Sequence, residues 1–423
     1  MVGRMLRAIA LTTVLLGWTS PSPFVHDRAA GRVAAGTDGK GAVVAVWQHG
    51  TDRLQPPRGP GGYGGFESVV RALTPAGPQT LSIRHDLTAT PTVAVNPRGD
   101  AIAAWTQAYE GRRFTILAAS RPPGGRFGRR EVVGRTGRFI GARPTAGINA
   151  RGDGVLLWAR GDRMQVALRR RGHDFGRRES LPGTRPVPAG AALDAAGRAW
   201  VAWVDRGRVF VAERPPGERF GRPRVLNPDG PGAGSASLAL GADGTVAVAW
   251  GAGGAAHAAI RTPGGAFGLM QTVATFMRAG GRGETPVAVT PLGEVLVAWT
   301  EAEPDPLGER SHVAVASRPA GGAFGPRRLL SAPEVNAEFP ALGVEGGGAV
   351  VAAWRQIRSH DPAAHWSIGA AVRPVGADWA AAESIGSSAG GIGPPRVLSA
   401  RATTRLLWQP SEGGALVTRR LGP

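Results

Sequence analysis

An all-β fold, a β-propeller of about eight four-stranded blades, is what the sequence predicts, and three features predict it. Tryptophans recur at Trp47, Trp105, Trp158, Trp203, Trp250, Trp299, Trp354 and Trp408, about 52 residues apart on average, a period that suits propeller blades. Six residues before seven of them stands a glycine: Gly41, Gly99, Gly152, Gly197, Gly244, Gly293 and Gly348, with Ala402 in the last repeat. A second element follows, as RPPGGRFG from Arg121, RPPGERFG from Arg214, RTPGGAFG from Arg261 and RPAGGAFG from Arg318, with looser copies at Arg169 to Phe175 and Arg373 to Trp379.

Each feature maps to an element. TVAVNPRGDAIAAW, SLALGADGTVAVAW and PVAVTPLGEVLVAW read as an apolar strand A, a tight turn, and a strand B that ends at the tryptophan. The turn glycine supplies a backbone that tolerates positive φ. Strand C closes at the arginine of the second element. The Pro-Gly turn follows, and its aromatic opens strand D, as in REVV or RRLL. Radial repetition buries both sheet faces against neighbouring blades and keeps edges short. The Ala- and Val-rich strands A and B suit the crowded axis, and the tryptophans suit the wider space between blades. The eighth unit, about Pro395 to Leu421, lacks a strand D, which Phe24 to Ala30 could supply to close the ring. A seven-bladed ring or an open solenoid is the alternative.

No composition break divides residues 24–423, so they are expected to form a single propeller domain, with 42% hydrophobic residues, 65 Gly and 35 Pro supplying core and turns. Residues 1–20 read as an export signal peptide. Arg4 and Arg7 precede the apolar stretch Ala8 to Trp18, which is short for a membrane span, and polar Ser20 to Pro23 follow. No clean Ala-x-Ala site follows, and an uncleaved anchor is the alternative. A secreted or cell-surface bacterial protein is therefore expected. Zero cysteines exclude disulfides, thiolate metal sites, a cysteine nucleophile and a lipoprotein anchor. The net charge is +19, yet Lys40 is the single lysine among 50 basic residues. That ratio reflects a GC-rich coding bias more than a nucleic-acid interface, with an anionic wall polymer or lipid headgroup as the other reading. Runs such as Arg169 to Arg171 read as strand-edge or turn charge, not phosphate grips.

Loop lengths locate a candidate site. From the tryptophan to the arginine closing strand C the interval is 11 residues for Trp158, Trp203, Trp250 and Trp408, 16 for Trp105, and 19 for Trp299 and Trp354. Unit 1 is longer still. The long B–C loops thus come from units 6, 7, 1 and 2, contiguous on either side of unit 8, and long loops on a rigid scaffold carry binding. They hold the ligand-binding candidates Gln48, His49, Gln107, Tyr109, Glu110, Glu301, His312, Gln356, His360 and Asp361, alongside Asp52, Arg53, Tyr63, Arg112, Arg113, Asp305, Glu309, Arg310, Arg358, His365 and Trp366. Amides, acids, arginines and a few aromatics suit carbohydrate or polar-polymer recognition; solvated loops without a ligand are the bland reading. His360, Asp361 and His365 could join Asp305 or His312 around a cation, but no recognised metal spacing is present. No metal, cofactor or catalytic residue is expected.

The repeat resembles secreted bacterial β-propellers and, more distantly, the Asp-box propellers of the sialidase superfamily. An Asp-box reads Ser-x-Asp-x-Gly-x-Thr-Trp, with Gly three residues before Trp; GADGTVAVAW keeps the Asp-Gly but spaces Gly six residues from Trp. The resemblance implies, as an alternative, a sialidase-like glycoside hydrolase or lyase, with an arginine cluster, a Tyr–Glu pair and an acid. Only Tyr63 and Tyr109 could be its nucleophile. The preferred expectation is a monomeric, non-catalytic binding or scaffold protein that recognises an extracellular glycan, wall polymer or protein on its long-loop face.

Overall fold

The computed structural model describes residues 18–27, 30–31, 33–55, 65–82, 88–89, 91–109, 113–137, 143–276, 278–279, 284–305, 308–358, 363–411 and 415–419. The expected export signal, residues 1–20, lies almost wholly outside them. Among the described residues regular structure is strand alone, arranged as eight antiparallel sheets in an eight-bladed propeller.

Blade 2 shows the pattern: strands A Thr92–Val95, B Ala101–Tyr109, C Arg113–Arg121 and D Glu131–Gly137, hydrogen-bonded in that order. Blade 6 adds a short piece, Arg278–Ala279, that pairs with the far end of its strand B, Val295–Asp305. Blade 8 closes the ring: Arg396–Ser399, Thr404–Trp408 and Ala415–Arg419 take the N-terminal Ser22–Val25 as strand D. The closing strand comes from the N-terminal segment, as expected, but it is Ser22–Val25, which shares only Phe24 and Val25 with the expected Phe24 to Ala30.

The turn glycines behave as the sequence requires. All seven have φ between 77° and 96°, a region that costs other L-residues energy. In blade 2 the turn is pinned by Asn96, whose Oδ1 accepts the N–H groups of Arg98 and Asp100 at 3.0 and 2.9 Å. Its Nδ2 donates across to the Asn149 carbonyl of blade 3 at 2.9 Å, and Asn149 donates to the Asp194 carbonyl of blade 4 at 2.9 Å. Blade 8, with Ala402, has a turn one residue shorter: Ser399 pairs with Thr404, where Val95 pairs with Ala101.

Strand B is the core. In blade 4 every residue of Ala199–Asp205 is buried, whereas strands A such as Thr92–Val95 and Ser237–Leu240 are half-buried along their length. Each repeat tryptophan packs between its own blade and the preceding one, Trp105 against Val44 and Val46, Trp250 against Trp200 and Val211. An indole buries roughly 150–250 Å², on the order of 4–6 kcal/mol of transfer free energy before entropy is subtracted.

Strand B does not end at the tryptophan, except in blade 8. It runs on through Gln55 in blade 1, Tyr109 in blade 2, Asp305 in blade 6 and Arg358 in blade 7. Much of the expected loop length is therefore extended hairpin: Asp305 pairs with Gly308 and Tyr109 with Arg113. The reason is local: a tryptophan interrupts neither the alternation nor the ladder, so pairing continues until a turn intervenes.

Candidate functional site

Continuation of strand B sets where the candidate residues go. Side chains alternate across a strand, so the residue two after the tryptophan shares its face and follows the indole inward. Gln107, Glu301 and Gln356 occupy this position and are all buried. Each takes the indole N–H: Trp105 donates to Gln107 Oε1 at 3.2 Å, Trp299 to Glu301 Oε2 at 2.9 Å and Trp354 to Gln356 Oε1 at 2.7 Å. Glu301 also pairs with Arg327. Where the position holds Arg160, Asp205 or Ala252, the Nε1 atoms of Trp158, Trp203 and Trp250 have no partner among the described residues. Asp205 instead accepts the linker N–H groups of Thr184 and Arg185 at 2.7 and 2.9 Å.

Blade 1 solves the same problem differently. Asp27, just after the closing strand, accepts Trp47 Nε1 at 2.7 Å and lies 2.9 Å from His49 Nδ1 and 3.3 Å from Arg71 Nη1. Burial alone would raise its pKa; the hydrogen bonds from Trp47 and His49 and the charges of His49 and Arg71 outweigh it and hold the carboxyl below its ordinary value. Gln48 points to the other side and donates to Ser68 Oγ at 3.0 Å and the Thr88 carbonyl at 2.7 Å. Thr88 also forms an isolated β-bridge with Gln107, so Thr88 links Gln48 of blade 1 to strand B of blade 2.

In blade 6, His312 pairs across the hairpin with Glu301 and is buried, its Nε2 3.0 Å from Glu303 Oε1. Asp305 and Arg310 form an ion pair at 2.5 Å. Glu110, His360 and Asp361 lie outside the described residues, as do Tyr63, Arg112 and the side chains of Asp52, Arg53, Tyr109 and Arg113. Among the described residues no group of three or more His, Asp and Glu is placed to hold a metal ion.

The hairpin end of blade 7 holds open space on both sides of one sheet. Toward blade 6 lies a cavity of about 480 Å³ whose lining includes Glu334, Gln356, Arg358, His365, Ser367 and Glu383. Toward blade 8, at the mouth of the central channel, lies one of about 600 Å³ lined by Phe339, Pro340, Trp408, Arg396, Gln409 and Glu284, among others. Both fall in the size range of small-ligand sites.

Between them the backbone is irregular. Strand A of blade 7, Val335–Val344, slips register between Glu338 and Ala341, and Phe339 sits at φ 56°. A bulky residue in the left-handed region is strained, and such strain collects at binding sites. Arg355, paired with Glu338, lies 4.7 Å from the Phe339 ring centroid and 4.4 Å from that of Trp366, a guanidinium held by two aromatic faces. Sequence reasoning missed Phe339 and Arg355. Spacing gave no signal, since Phe324 to Gly348 spans 24 residues, the same as Phe220 to Gly244; the local mark is Phe339-Pro340, in a strand A that runs ten residues here and four in blade 2.

No protein-family model matches the chain, and no curated protein sequence matches it. Solved structures match at low identity. One is described as a new family of polysaccharide lyase, an ulvan lyase, with a TM-score of 0.47, 12% identity, and 76% of this chain and 90% of that chain covered. A second is the WD40 domain of SCAP from fission yeast, at 0.46, 9%, 95% and 98%. A third is the NanB sialidase from Streptococcus pneumoniae, at 0.43, 11%, 81% and 70%. At these scores the likenesses transfer no ligand and no reaction to this chain.

Proposed function

We propose that the chain is a non-catalytic binding propeller of the extracytoplasmic space that holds a glycan segment at the hairpin end of blade 7. The observation that carries this reading is the pair of cavities flanking that sheet, with a strained, partly exposed Phe339 at the wall of one and Arg358 and His365 exposed at the other. A sugar ring presents an apolar C–H face and a rim of hydroxyls. An aromatic wall beside amides, acids and guanidinium groups matches both. The leader-like residues 1–20 support export.

Binding of the protein to a glycan and wall-polymer panel at two salt concentrations tests this. A stacked, hydrogen-bonded sugar is expected to stay bound at high salt, whereas retention by charge alone falls steeply. The double variant Arg358→Ala, His365→Ala is expected to weaken binding about tenfold or more, with unchanged thermal unfolding because both residues are exposed. Wild-type retention by that variant would remove the support for this site.

A further inference from the structure

The opposite end of the blades, where the A–B and C–D turns lie, carries a cavity of about 660 Å³ between blades 3 and 4. Arg151, Arg169, Arg170 and Arg214 line it, with Asp153 and Asp174 the acidic residues. Arg169 closes strand C of blade 3 and is 9% exposed. Buried guanidinium groups are normally matched by a carboxylate in contact, because an unpaired buried charge is costly.

Two of the corresponding arginines are matched, whereas Arg318 of blade 6, equally buried, has an Nε without a hydrogen-bond partner among the described residues but lines none of the cavities described above. Arg373 of blade 7 pairs with Glu294 of blade 6, and Arg121 of blade 2 donates to the Gly99 and Gly125 carbonyls at 2.8 and 2.7 Å. The residue equivalent to Glu294 for Arg169 is Asp100, which follows the turn glycine of the preceding blade. Asp100 is taken: Arg171 reaches it at 2.8 Å. Arg169 is left with one long bond, from Nε to the Arg170 carbonyl at 3.4 Å, and the Phe175 ring at 6.0 Å. Among the described residues no carboxylate comes within ion-pair distance of it. Burial pulls its pKa below the arginine value against the more distant charges of Glu131, Asp100, Asp174 and Asp153.

Its neighbours are little better matched. Arg214 is 3.5 Å from Glu179 through an Nε that makes no hydrogen bond. Arg151 and Arg170 are exposed, and among the described residues neither guanidinium meets a carboxylate. Two carboxylates line the cavity against these four cations: Asp153 accepts Arg171 N–H at 3.0 Å and Asn149 Nδ2 at 3.3 Å, and Asp174 lies 3.8 Å from Arg129, so neither is in ion-pair contact with a lining arginine. The cavity thus holds four cations whose counter-charge is incomplete.

We propose that this cavity binds an oxyanion, a sulfate or phosphate ester, between Arg169 and Arg214 with Arg151 and Arg170 at the rim. Guanidinium forks bind such groups through paired, charge-assisted hydrogen bonds. The run Arg169 to Arg171 divides accordingly: Arg171 is a clasp between blades, and Arg169 is a ligand group. This site is independent of the blade 7 cavities and lies at the other end of the propeller.

Calorimetric titration with glucose 6-sulfate and glucose 6-phosphate at constant ionic strength tests it. Saturable binding of at least one is expected, and the tighter of the two identifies the natural ester. Arg169→Gln is expected to weaken it about tenfold, the loss of one charge-assisted contact. Because Arg169 is buried, Arg151→Gln and Arg170→Gln, at exposed positions, serve as variants that keep the fold and are each expected to weaken binding severalfold. Arg401→Gln removes the same charge from an exposed turn of blade 8 and is expected to change nothing, as is the blade 7 double variant. Absence of saturation with both esters, or an equal loss in Arg401→Gln, overturns the proposal.

Discussion

At the scale of the residue, the position two after the repeat tryptophan satisfies the indole N–H in blades 2, 6 and 7. Gln107, Glu301 and Gln356 satisfy it from within strand B, and Asp27 does so from the closing segment. Read along the chain these polar residues looked like the start of a loop, since polar groups usually face water. What the sequence lacked was the end of strand B, and with it the face each side chain takes. Gln107→Leu is expected to lower stability by about 1–3 kcal/mol, the cost of a buried donor left without its acceptor. The urea midpoint should fall at unchanged m-value; an unchanged midpoint would mean that the Trp105 bond contributes nothing. Leucine is close in size, so the effect reports the lost bond more than a cavity.

At the scale of the element, the innermost strands come so close that a single methyl group matters. A Cβ on Gly343, in strand A of blade 7, would overlap Val397 and Ser399 of blade 8. Four residues on, Gly347 has nothing within 4 Å. Gly343→Ala is therefore expected to destabilise by about 1–3 kcal/mol through overpacking, whereas Gly347→Ala should be near neutral. Thermal unfolding of the two side by side checks this, and equal behaviour would contradict the close approach of the strands. Neither glycine belongs to the turn series, and nothing local separates them. The hairpin strands show the same limit: the 19-residue intervals announced long B–C excursions in blades 6 and 7, but whether those residues formed ladder or loop depended on pairing across the hairpin.

At the scale of the whole molecule, closure rests on Ser22–Val25 and on Asp27 immediately after it, which gathers Trp47, His49 and Arg71 of blade 1. Because the Asp27 pKa is depressed in the fold, its stabilising contribution is complete above the unfolded-state value of about 3.9 and is lost as pH falls through the lower folded value. Asp27→Asn is expected to lower the unfolding temperature at neutral pH and to flatten its decline below about pH 4, where the unfolded chain takes up a proton at Asp27 that the folded site still resists. Parallel pH profiles for the two proteins would show that Asp27 does not clasp the ring. Blade-to-blade ion pairs such as Arg373–Glu294 and Arg261–Glu213 add to this closure, a structural use for part of an arginine excess that reads in composition as coding bias.

The sequence by itself determined the repeat, the four-strand grammar and the turn glycines, and it pointed to about eight blades and an N-terminal closing strand, which the structure settled. Each is written in short-range periodicity and in residues that few conformations tolerate. Only the tertiary structure decided which polar residues face inward, that Phe339 and Arg355 shape the open end of blade 7, and that Arg169 is buried without a matching carboxylate. These depend on pairings between blades some fifty residues apart: whether a guanidinium finds its carboxylate is settled by what the neighbouring blade has already claimed, as Arg171 claims Asp100.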